Sequence, residues 1–327
     1  DYYASRGLGD VYKRQVWYRR SDFDGVARTD AAGFTIGNKG YICGGYNGKT
    51  TRLADTWEYD IDNDWWTQRA DMPGTVRNAA TGFPVGNKGY ITTGYNPDQK
   101  YLADTWEYDP ETNTWRQMDD FKGGARYYAL GFGIDNYGYV GTGYNDNYLK
   151  DFYRFDPTAA AGSQWTIVNG FGGQKRQGAT AFVINGKAYV CGGQNNNSDV
   201  SDFWRFDPSA ATPWTQLRDI ANTSDDDYDD DYTSIVRSYG VSFVIDGKAY
   251  LTLGSTAGGS YYSNYWIYDP ETDLWEGDDL TAFEGSTRIH AVCFSTGTRG
   301  IIATGGSGSS SYFDDTWELK PYEYEEE

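Results

Sequence analysis

The chain has 327 residues, 47 of them acidic and 28 basic, for a net charge of −19. So acidic a surface repels phosphate backbones and argues against nucleic acid as a partner, and no run of 18 apolar residues is present to form a transmembrane helix. A single histidine, His290, excludes a multi-histidine metal centre, and neither a Gly-x-Ser-x-Gly elbow nor a phosphate-binding glycine loop occurs.

Residues 1–15 share no pattern with the rest of the chain. Gly9-Asp10-Val11-Tyr12-Lys13-Arg14-Gln15 resembles translated sequencing-adapter sequence. The segment is expected to be non-native and is set aside, so the lack of an export signal carries no weight. Val16–Arg20 then reads as a strand around Trp17, which lies 11 residues before Arg28. Trp66 and Trp115 lie equally far before Arg77 and Arg126.

From Arg28 onward the same order of features returns six times, marked by Arg28, Arg77, Arg126, Arg176, Arg237 and Arg288 at steps of 49, 49, 50, 61 and 51. A period near 50 marks a repeat array. Each unit opens on small residues ending in Phe: Phe34, Phe83, Phe132, Phe182, Phe243 and Phe294. A tight turn comes next, such as Asn185-Gly186 or Asp246-Gly247, and these dipeptides favour the turn that matches strand twist. A second apolar run ends in glycine (Gly44-Gly45, Gly192-Gly193, Leu253-Gly254). The third centres on sequences such as Asp55-Thr56-Trp57-Glu58-Tyr59, and the fourth on Trp66, Trp115, Trp165, Trp214 or Trp275. Cys43, Cys191 and Cys293 fall inside these strands and read as small buried thiols. The sixth unit ends at Asp315-Thr316-Trp317-Glu318-Leu319 without a fourth strand, and Val16–Arg20 is expected to supply it. Residues 16–320 thus form one domain, followed by an acidic tail at 321–327.

The paired glycines, the Tyr/Trp-x-Tyr/Phe-Asp segments and the later Trp resemble kelch repeats over about residues 16–319. Departures are Thr93, Thr142 and Leu253 at the first glycine, Tyr153 for Trp and Asn264 for Asp. The resemblance implies an all-β, six-bladed β-propeller with four antiparallel strands per blade, the last closed by the N-terminal strand. It is similar to exported bacterial kelch proteins, which implies the periplasm or cell surface. It is also similar to the galactose oxidase superfamily, but the single histidine leaves no copper site, and no cofactor is expected.

Strand order puts the arginines, the loops between second and third strands, and the insertion 222–233 on one face, the better candidate for binding. The six arginines have two readings. They could ring the channel mouth and hold a carboxylate, or each could pair with a blade carboxylate such as Asp55, Asp104, Asp151, Asp202 or Asp315. Two residues after each arginine the repeat symmetry breaks, giving Asp30, Ala79, Tyr128, Gly178, Tyr239 and His290, an asymmetric lining or a plug. Tyr46, Tyr95 and Tyr144 in the loops are placed to stack on a sugar. Asp225, Asp227, Asp229 and Asp231 offer alternate oxygen ligands that would suit Ca²⁺, or they form a solvated loop, or they fold over the arginine mouth.

The leading expectation is a non-catalytic module binding an anionic glycan or an acidic peptide. The alternative, similar to bacterial sialic acid epimerases, is a metal-free mutarotase using His290, Tyr239, Tyr128 and Asp30, with an arginine on the sugar carboxylate. A third possibility is a purely structural surface protein.

Overall fold

The computed structural model describes residues 16–49, 51–277, 280 and 282–321. The proposed adapter segment and most of the acidic tail lie outside them. Six four-stranded antiparallel sheets surround a central axis. In blade 1 the strands a to d, from the axis outward, are Ala32–Ile36, Lys39–Gly45, Leu53–Asp60 and Trp65–Arg69. The a strands of blades 2 to 6 are Thr81–Val85, Leu130–Ile134, Thr180–Ile184, Val241–Ile245 and Val292–Ser295.

Blade 6 takes its d strand from the other end of the chain. Val16–Arg20 pairs antiparallel with Thr316–Lys320, Trp17 opposite Leu319. Trp17 is buried and meets Phe283 edge-on at 4.9 Å, as Trp66 meets Phe23 at 4.8 Å and Trp165 meets Phe121 at 4.8 Å. The segment therefore supplies the outer tryptophan that every blade requires, and it covers an edge that would otherwise be unpaired.

Apolar burial lies between blades. Phe34, Tyr41 and Cys43 of blade 1 share a cluster with Ile91 and Tyr108 of blade 2, and the same exchange recurs around the ring, from Phe83 with Val140 and Phe155 to Phe294 with Ile42 and Tyr59. The strand-a Phe of one blade lies on the second strand of the next, where the sequence has Gly40, Gly89, Gly138 and Gly300, or Ala188 and Ala249. A Cβ on Gly89 would sit 2.0 Å from Phe34, so close packing forces this position to be small. The cysteines are free, and burial pushes the Cys43 and Cys191 thiols up to about 12.

Candidate functional site

The repeat arginines are part of the frame. All six are 0–1% exposed, and of the two readings open for them their contacts match the pairing within each blade. Each Nε donates to the carbonyl two residues earlier, for example Arg28 to Val26 at 2.9 Å and Arg77 to Thr75 at 2.9 Å. Each Nη1 donates to the carbonyl 16 residues later, for example Gly44, Thr93 and Thr142. The guanidinium then pairs with Asp55, Asp104, Asp151, Asp202 or Asp315 of its own blade. Arg237 faces Asn264 instead, and burial pushes it down to about 10. The arginine main chain links blades as well. Its carbonyl accepts from the glycine N–H of the preceding blade, Gly45 to Arg77 at 2.8 Å and onward to Gly305 to Arg28 at 2.8 Å. A side chain spent in this way cannot also grip a ligand.

Two residues on, the chain turns in at the axis. Asp30, Ala79, Tyr128, Gly178, Tyr239 and His290 all have φ between +52° and +64°. Their main chains form a closed ring: Ala79 N–H donates to Asp30, Tyr128 to Ala79, Gly178 to Tyr128, Tyr239 to Gly178, His290 to Tyr239 and Asp30 to His290, at 2.8–3.2 Å. Because Ala79 and Gly178 share this conformation, it belongs to the closure of the propeller and not to any one side chain. A residue other than glycine normally avoids it, and here the ring of hydrogen bonds holds it. Behind the ring runs a channel of about 200 Å³ lined by small residues, among them Ala31, Ala80, Ala129, Ala179 and Ala291.

The side chains on the ring are concentrated on four blades. Tyr128 O–H donates to Asp30 Oδ1 at 2.6 Å, and His290 Nδ1 lies 3.0 Å from the same oxygen. The His290 ring stacks on Tyr128 at 4.9 Å and touches Tyr239 at 4.3 Å. The Tyr239 oxygen accepts N–H bonds from Gln177 at 2.7 Å and Gln194 at 2.6 Å, which leaves its own O–H to donate outward. Burial alone would raise the Asp30 carboxyl, but His290 and Tyr128 outweigh it and hold it below its ordinary value. Burial, reinforced by Asp30, drives the Tyr128 hydroxyl far up, and burial also raises Tyr239 against the pull of Gln194. An ionised carboxylate, an imidazole oriented by it and a protonated phenol thus share one small recess.

Tyr46, Tyr95 and Tyr144 stand half-buried on the same face. Each pairs through its main chain with the residue after a repeat arginine: Thr29 with Tyr46, Asn78 with Tyr95, Tyr127 with Tyr144. Beside them is a cation that the repeat pattern concealed. Arg52 lies over the Tyr46 ring at 4.1 Å, donates from Nε to Asn78 at 2.5 Å, and is near enough to help lower Asp30. It sits three residues before Asp55, where the other blades have Tyr101, Tyr148, Asp199, Tyr261 and Tyr312. Aligning the chain on the blade carboxylates, in place of the arginines, exposes this break in symmetry.

Of the three readings of the acidic insertion, exposure to solvent fits most of its carboxylates, with Asp229 the exception. Asp229 is buried, and its carboxylate accepts from the Thr223 and Ser224 N–H groups, both at 2.9 Å, as an internal turn cap. Tyr232 accepts from the Trp275 N–H at 2.8 Å, so the segment packs against the outer strands of blade 5 and not over the axis. Asp225, Asp227 and Asp231 are exposed, and among the described residues no group of three His, Cys, Asp or Glu side chains is placed to hold a metal.

This architecture defines the class of protein: a six-bladed β-propeller with kelch motif repeats. The kelch motif matches residues 27–73, 85–122 and 175–217. Curated relatives named N-acetylneuraminate epimerase, from Yersinia pestis and Yersinia pseudotuberculosis, are 29% identical over 164 residues, 41% of this chain and 41% of theirs. The match therefore spans less than half the length of these relatives. The solved structure of YjhT superposes with a TM-score of 0.73 over 91% of this chain and 95% of that one at 15% identity, a likeness of fold. The Yersinia relatives are bacterial, and they carry an enzyme's name. The expectation of a non-catalytic binding module is corrected accordingly. It leaned on an arginine ring that the fold uses internally.

Proposed function

We propose that the protein is a metal-free sugar mutarotase acting on an acidic sugar of the N-acetylneuraminate class. One observation carries the reading: Asp30, His290 and the Tyr239 hydroxyl converge at the axial ring. Opening a sugar ring requires one group to take the anomeric O–H proton and another to give a proton to the ring oxygen.

His290, with Nδ1 held toward Asp30, has Nε2 as its basic nitrogen. It takes the proton of the anomeric hydroxyl as the bond from the anomeric carbon to the ring oxygen breaks. Tyr239 gives its proton to that ring oxygen, producing the open-chain keto acid. Rotation of the carbonyl exposes its other face. The sugar hydroxyl then returns its proton to Tyr239 as it attacks, and His290 returns its proton to the carbonyl oxygen. No atom is gained or lost, and the product is the other anomer. The positive charge of Arg52 serves the sugar carboxylate, a task the buried repeat arginines cannot perform.

The test is the rate of anomer exchange of N-acetylneuraminate measured by magnetisation-transfer NMR. Wild-type protein should accelerate exchange. His290→Ala and Tyr239→Phe should each lose about 10²–10⁴-fold of that acceleration, the usual share of one acid–base group. An exchange rate equal to that of buffer alone would sink the proposal.

A further inference from the structure

The bridge between the residue after each repeat arginine and the loop opposite is made by main-chain atoms. Blade 5 satisfies it with Ser238 and Ser255, and blade 6 with Ile289 and Gly306. The fold therefore asks for no particular side chain there. Blade 3 nevertheless has tyrosine at both places, Tyr127 and Tyr144, and adds Tyr148 in the return arm of the same loop. Blade 2 contributes Tyr95 and Tyr101. The rings touch in succession outward from the axial recess: Tyr128 to Tyr127 at 4.8 Å, Tyr127 to Tyr144 at 5.8 Å, and Tyr144 to Tyr148 at 5.0 Å. All are half-buried. On the far side Gln194, Ser255 and Gly306 take the place of Tyr144, while Tyr261 and Tyr312 recur at the place of Tyr148, so blade 3 alone carries tyrosine at all three places from the recess to the rim.

We propose that this wall is a second sugar subsite, and that the preferred substrate is an oligosaccharide with a free reducing end. This rests on the mutarotase reading. The reducing unit occupies the recess at His290 and Tyr239, and the next unit lies with its C–H face along Tyr144 and Tyr148, behind which Tyr127 is stacked on Tyr101. Tyrosine suits that task, since its ring offers an apolar face to the sugar's C–H groups. A recess built for a single sugar would leave this row of rings without a ligand to contact.

The probes are N-acetylneuraminate and its α2,8-linked dimer, whose reducing unit keeps a free anomeric hydroxyl. Anomer exchange is measured for both with wild-type protein, with Tyr144→Ala/Tyr148→Ala, and with Tyr144→Phe/Tyr148→Phe. Wild type should favour the dimer in kcat/KM by on the order of tenfold, one ring contact's worth. The alanine pair should erase that preference, leaving equal kcat/KM for the two sugars. The phenylalanine pair should retain it. Equal rates for the two sugars in wild type, or loss of preference in the phenylalanine pair, overturn the subsite. If neither sugar exchanges, the mutarotase reading fails, and fluorescence titration with the same two sugars judges the wall separately. Tighter binding of the dimer that is lost in the alanine pair supports it, and equal binding overturns it.

Discussion

Arg237 differs from its five counterparts because position 264 is asparagine. Its acceptors are all neutral: the carbonyls of Ser234, Ile235, Leu253 and Asn264 and the Asn264 amide oxygen. Asn264→Asp should supply the missing carboxylate and raise stability by about 1–3 kcal/mol, the range of a charge-assisted bond, read as a higher midpoint in urea. In the opposite direction, Arg126→Ala strands Asp151 and the Gly123 and Thr142 carbonyls. It should cost about 1–3 kcal/mol, as leaving buried acceptors unsatisfied does. A midpoint within error of wild type would restore these arginines as candidate ligand groups. Spacing shows that the arginines recur. It cannot show whether each guanidinium turns to the axis or into its own blade, because both arrangements have the same period. The residues after them are more legible. Asp30, Tyr128, Tyr239 and His290 stand out because they differ where a repeat should be uniform, and the fold brings them together.

The strands track the sequence closely, since each element is dictated by local requirements met six times over. The aromatic of strand a needs a small residue on its neighbour, and the turn after it takes a residue that accepts positive φ, as at Gly37, Gly86, Asp135, Asn185 and Asp246. The closing strand is legible from a single tryptophan, since Trp17 keeps the interval to its arginine that Trp66 and Trp115 keep to theirs. Removing residues 1–20 should leave Thr316–Lys320 with an unpaired edge and Phe283 without its contact to Trp17. Such a variant should unfold at lower temperature and associate through the bare strand, visible as dimers or aggregates by size-exclusion chromatography. A monomer with an unchanged midpoint would contradict the closure. The acidic insertion misleads for a related reason. Its composition suggests solvent, which Asp225, Asp227 and Asp231 do face, and metal, whereas Asp229 serves its own turn and Tyr232 belongs to the contact with blade 5. Neither role leaves a pattern in a stretch that occurs once.

For the whole molecule, acid should be the effective denaturant. Burial would raise Asp55, Asp104 and Asp315, yet the arginine pairs hold all three below the ordinary carboxylate value. A carboxyl lowered in the folded state lends stability above its unfolded pKa and loses it as pH falls through the folded value. Urea midpoints should therefore be level from pH 7 to about 5 and drop steeply below about pH 4. A flat profile down to about pH 3 would show that these pairs contribute little. The axial ring has a further consequence, for how such a protein changes its chemistry over generations. Six left-handed positions, fixed by main-chain bonds alone, offer six interchangeable attachment points around one recess. Four already carry reactive or aromatic groups, and Ala79 and Gly178 carry almost none. A library randomised at these six codons would vary the reagent set while the backbone that presents it stays in place, so new reactions lie few mutational steps away without passing through misfolded intermediates.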